Sequence, residues 1–150
     1  MDSVTYPNDK VIEFVQEEVV PLRVPFDAKP LSDDFNVQWT PTLVILDSKG
    51  REHHRTTGFL PPEEFIPMVL VGIGKIQFDD GEFSKAISRM NKVLAEYPES
   101  DSAPEAVYYR GVSRYKDTEK PDPLKEAYEI LRTQYASSPW AKKAAPYRLL

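Results

Sequence analysis

The sequence contains no cysteine. That excludes disulfides, zinc–thiolate centres and thiol nucleophiles from this chain, although a cysteine-free domain suits either redox compartment. Histidine is scarce too, limited to His53 and His54. Adjacent side chains on a strand point to opposite faces, so these two do not chelate one metal together; a solvated hairpin strand is expected. Long apolar runs are missing. The longest, Met68 to Ile73, falls far short of the roughly 20 residues a membrane helix needs. The start, "MDSVTYPNDK", shows neither a basic stretch nor an apolar core, so no signal peptide is visible. A cytoplasmic protein without membrane insertion is expected. There is no glycine-rich phosphate loop, GxSxG or HExxH. Gly72 and Gly74 form a lone "GIG" within a helical pattern, which reads as helix packing. Neither a cofactor nor a metal site is expected.

What is present can build a core. Of the 150 residues, 41% are hydrophobic and 11% aromatic, and the 29% that are charged argue against disorder. Fourteen prolines are spread along the chain as punctuation of short elements. The net charge of −5 has the wrong sign for a nucleic-acid partner. It is unevenly placed: residues 1–80 hold 7 Lys+Arg against 14 Asp+Glu, whereas residues 81–150 hold 12 against 10. Two segments with different surfaces are implied, and opposite charge could help them dock. The acidic pairs Glu17–Glu18, Asp33–Asp34, Glu63–Glu64 and Asp79–Asp80 diverge by about 100° on a helix. That is unsuited to a general acid–base pair, so helix-end and solvation roles are expected.

Element types alternate at first. "NDKVIEFVQEEV" has helical spacing, with Asn8 or Asp9 as N-cap. "VPLRVPF" alternates like a strand, but Pro21 and Pro25 remove donors from one side, so an edge strand is expected. A short helix at 31–36 follows. "TLVILD", residues 42–47, is an apolar β-rich run that wants cover on both faces, with "SKG" as a hairpin turn and "REHHRTTG" as the returning strand. "LPPEEF" opens a helix with prolines and acids in its first turn, and Pro67 is expected to kink or restart it.

No strand pattern appears after Gly58. Helices are predicted at about 62–79, 82–96, 103–116, 122–136 and 139–148. Tyr108, Tyr109, Tyr115, Tyr128 and Tyr135 read as core packing with partly exposed hydroxyls, a peptide groove being the alternative. Gly74, Ala86 and Pro98 fall at intervals of 12, and Gly111, Ala127 and Pro139 at 16 and then 12. Small residues let paired helices approach, and a proline ends the second helix of each pair. The pattern resembles tetratricopeptide-type repeats over residues 65–148. The second unit departs by four extra residues, and "YASSPWA" could instead align with "YPES".

The order of elements over residues 5–70, with "VQWTPTLVILDSKG" and "GFLPPEEF", resembles the later part of the thioredoxin fold. That resemblance implies a cis bond before Pro41, the alternative being a trans proline that merely starts a strand. It also implies that Trp39, Thr40 and Pro41 form a substrate- or peptide-contact edge. The family's CxxC motif is absent, and the central strand preceding it has no counterpart. The expected architecture is α/β plus all-α: a partial thioredoxin-like sheet with helices (residues 1–66), then a tetratricopeptide-like helical hairpin array (residues 67–150). The expected role is a redox-inactive protein- or peptide-binding module, with a homodimer by strand pairing as a related option. The competing expectation is a piece of a thiol–disulfide oxidoreductase whose CxxC lies upstream of Met1.

Overall fold

The computed structural model describes residues 1–150, which form seven α-helices, one two-stranded sheet and a terminal 3-10 turn. Helix α1 spans Asp9–Glu18. The Asn8 carboxamide caps it by accepting from the N–H groups of Lys10 and Val11. Helix α2, Leu31–Asp34, is a single turn. Strands β1 (Thr42–Leu46) and β2 (Glu52–Thr57) pair antiparallel, Thr42 facing Thr57 and Ile45 facing His54.

Helix α3, Pro62–Asp79, is the centre of the molecule. Residues Phe65 to Gly72 are all buried, as expected for a helix that is apolar all round. It touches α1, both strands and two later helices, α4 (Phe83–Glu96) and α5 (Ala103–Thr118). Val11 and Phe14 of α1, Met90 and Val93 of α4 and Ala106 of α5 complete its core. Helix α6 (Asp122–Gln134) packs on α5, and α7 (Pro139–Ala144) with the 3-10 turn Ala145–Leu149 closes the end. A second, smaller core joins Val107, Ala127, Leu131 and Ala144. No helix is long and apolar enough to cross a membrane.

Small residues fix the helix spacings. A Cβ on Gly72 would lie 2.7 Å from Ile45 Cγ1, so the missing side chain seats β1 on α3. A Cβ on Gly74 would meet Met90, and one on Gly111 would meet Ala127 Cβ at 2.6 Å. Gly81, at φ +77°, makes the tight turn from α3 to α4.

Several expectations need correction. "VPLRVPF" is not a strand: residues 20–26 form no ladder, and Val20 and Leu22 are 96% and 80% exposed. With two prolines on one side and no neighbour on the other, the segment has nothing to pair with. β1 is not covered on both faces, because only β2 and α3 contact it. Pro67 does not restart α3, which runs through it as one continuous helix; its missing N–H removes one intrahelical bond, to Glu63. Finally, Pro139 does not end α6 but is the first residue of α7. Tyr97 and Tyr135 both cap a helix by donating their N–H four residues back, to Val93 and Leu131.

Candidate functional site

The sheet has two strands, so one edge of β1 is open. The direction of its backbone groups follows from the ladder. Gly58 N–H donates to the Pro41 carbonyl at one end of the hairpin and Asp47 N–H to the Arg51 carbonyl at the other. Backbone groups alternate along a strand. Odd-numbered residues of β1 therefore pair with β2, and Thr42, Val44 and Leu46 turn theirs to the open edge. Side chains alternate as well: Leu43 and Ile45 join the core of α3, leaving Val44 on the other face.

Trp39, Thr40 and Pro41 lie at the entrance to this strand. Trp39 is 69% exposed, Thr40 is exposed and Pro41 half-buried. The Thr40–Pro41 bond is cis, as is Lys29–Pro30. Thr42 Oγ1 donates to the Trp39 carbonyl at 2.6 Å, which holds the turn before the strand. Across it, Phe59 is exposed. Residues 20–27 are exposed throughout, among them the apolar side chains of Val20, Leu22, Val24 and Phe26. The N–H groups of residues 20, 22, 24 and 26 have no backbone partner, the first backbone bond after Val19 being from Ala28 N–H to Pro25. The chain thus shows an open strand edge and, over residues 20–26, a segment without backbone pairing.

The histidines are not solvated, contrary to expectation. The His53 side chain is 6% exposed, with Nδ1 2.6 Å from Asp79 Oδ2 and Nε2 3.1 Å from Asp47 Oδ2. Burial alone would lower its pKa, but the bonds to Asp47 and Asp79 raise it above the ordinary value. Burial alone would raise Asp47; the Arg51 N–H, the His53 ring, the Arg51 guanidinium and the Lys49 N–H hold it far below the usual carboxylate range. His54, its neighbour at the register shift of β2, also turns toward α3, lying 3.2 Å from Lys75 Nζ, which reaches Glu105 at 3.0 Å. Burial lowers the His54 pKa, Lys75 adding to this and Glu105 opposing it. The sequence signal for these contacts was faint: the partners, Asp79, Lys75 and Glu105, lie 21 to 51 residues away.

Other acids also have partners. Glu18 pairs with Arg89 at 2.7 Å, tying α1 to α4 across the charge asymmetry. Asp80 reaches Arg51 at 3.4 Å, and Glu64 accepts the Asp101 N–H. The tyrosines pack: Tyr108 and Tyr109 lie against Trp140, Tyr147 donates its hydroxyl to Tyr108, and Tyr135 donates to the Pro98 carbonyl.

Residues 1–70 match the family model of a thioredoxin-like domain, a similarity confined to the amino-terminal part of the chain. No curated protein and no solved structure matches the chain. The match contains the Trp39–Pro41 corner, the hairpin and the first half of α3. It carries no cysteine with which this chain could exchange disulfides.

Proposed function

We propose that the protein is a redox-inactive binding module: a thioredoxin-like part, residues 1–66, with a tetratricopeptide-like helical tail, residues 67–150. It takes an extended protein or peptide segment by strand addition. The open edge of β1, with Thr42, Val44 and Leu46 turned outward, supplies the main-chain hydrogen bonds. Trp39, Thr40 and Pro41 receive one end of the segment. The observation that carries this reading is the free edge of β1; the exposed apolar residues Val20, Leu22, Val24 and Phe26 are a second unpaired feature of the same amino-terminal part. Exposed edges of this kind recruit strands unless they are blocked, and only one proline, Pro41, borders β1. A second copy of the chain can fill the same edge, giving a homodimer. A cytoplasmic location belongs to the same reading.

The test is Val44→Pro. Proline is tolerated at an unpaired edge because it removes an outward N–H alone, and Val44 is not part of the core. The variant should keep its circular dichroism spectrum. It should lose both capture of a library of seven-residue peptides with alternating apolar residues and any self-association seen by sedimentation. A wild-type protein that binds none of these peptides and stays monomeric at millimolar concentration contradicts the proposal.

A further inference from the structure

The neighbours His53 and His54 lie outside the proposed binding edge, yet both connect the hairpin to the helices. His53 is enclosed by Asp47 and Arg51 from the hairpin turn and by Asp79 and Asp80 from the end of α3. Each of its ring nitrogens faces a carboxylate oxygen within hydrogen-bond distance. Only an imidazolium can donate to both, because the neutral ring has one N–H and one lone pair. Loss of the proton therefore sets a lone pair against a carboxylate and breaks one of the two contacts.

His54 is arranged the opposite way. It is faced by Lys75 of α3, Glu105 of α5 and Glu52 of its own strand. Lys75 Nζ lies over the Tyr109 ring, and its ammonium has no lone pair with which to accept. At 3.2 Å the Nδ1 of His54 must therefore accept from Lys75, which requires a neutral ring. Gaining a proton turns that hydrogen bond into a repulsion between two cations, with Glu105 4.0 Å away.

We propose that these adjacent histidines, held in opposite protonation states, form a two-sided pH gate on the seating of the β1–β2 hairpin against α3. Acid releases the His54 side and alkali the His53 side. The hairpin is fully seated only in a window between them. Since β1 carries the open edge, the gate acts on the part of the molecule that faces partners, but it does not depend on what binds there.

The protein has two histidines, so imidazole NMR of the full chain resolves both titrations. One should fall above and the other below the ordinary value of about 6.5. Backbone amides of residues 43–57 and 75–80 should shift with each of them. His53→Gln should abolish the alkaline shift and leave the acid one, and His54→Gln should do the reverse. Two histidines titrating together near about 6.5 overturn the proposal. So does a separated pair of titrations with unmoved hairpin and α3 amides. The wild-type measurement decides even if a variant fails to fold.

Discussion

Gly111 offers a sharp test of how the helices are spaced. Replacing it with alanine puts a Cβ 2.6 Å from Ala127 Cβ and 3.0 Å from the Pro123 carbonyl oxygen. Neither neighbour can rotate away: one is a Cβ fixed to its backbone and the other is backbone. Helix α6 must therefore shift from α5, disturbing the small core of Val107, Ala127 and Leu131. Overpacking of this kind costs about 1–3 kcal/mol, and rigid neighbours place it near the upper end. Alanine returns about 1 kcal/mol of helix propensity, leaving a net loss of about 2 kcal/mol. Gly74→Ala is the matched control. Its Cβ would lie closest to Met90 Cε, at 2.5 Å, the mobile end of a flexible side chain. The propensity gain then offsets most of the strain, and stability should stay within about 1 kcal/mol of wild type. Urea unfolding followed by circular dichroism at 222 nm measures both. If Gly111→Ala is as stable as wild type, or if Gly74→Ala loses as much, close approach does not set these spacings.

Three further outcomes follow from named contacts. Thr5 is wholly buried and its hydroxyl donates to the Leu60 carbonyl, so Thr5→Val should lower the unfolding free energy by about 1–3 kcal/mol. Val20→Lys combined with Leu22→Lys should change stability by less than about 0.5 kcal/mol, because both side chains already lie in solvent, which a urea curve will show. For pH dependence the signs are opposite. The raised His53 pKa gives stability that is complete below about 6.5 and lost as pH rises through the folded value. The lowered His54 pKa gives stability present above about 6.5 and lost as pH falls toward its folded value. Unfolding free energy should thus have a maximum near pH 6.5 from these two groups, His53→Gln losing the alkaline limb and His54→Gln the acid limb; a profile unchanged by either variant refutes this.

The helices were legible in the sequence because their determinants are local. The apolar spacing, the Asn8 cap, the prolines at first turns and Gly81 lie within a few residues of what they control. The corner at Trp39–Pro41 and the hairpin were legible for a similar reason, as a short run of distinctive residues. What misled was pattern without a partner. Val20 to Phe26 alternates as a strand does, but a strand is defined by its neighbour, and the neighbour is not encoded in the segment itself. The histidines failed for the same reason in reverse. Their side chains look solvated from "REHHRTTG", yet residues on α3 and α5 enclose them, and no local periodicity reports a contact between His53 and Asp79.

These two failures meet in one physical situation. A two-stranded hairpin is marginal on its own in water. β1 packs on one helix only, so its stability rests on the Ile45–Gly72 approach and on the two histidine networks along α3. Helix α3 can carry that load because α1, α4 and α5 already hold it on its other sides. The open edge of β1 is thereby presented by a rigid element without being covered by one. A segment pairing with Thr42, Val44 and Leu46 would supply the second neighbour that β1 lacks, and it would act on a hairpin whose seat already depends on its protonation. Because anything that favours the seated hairpin must also favour His53 charged and His54 neutral, a partner that stabilised the hairpin by pairing with the open edge of β1 would be linked thermodynamically to the histidine pair, without a direct contact between them.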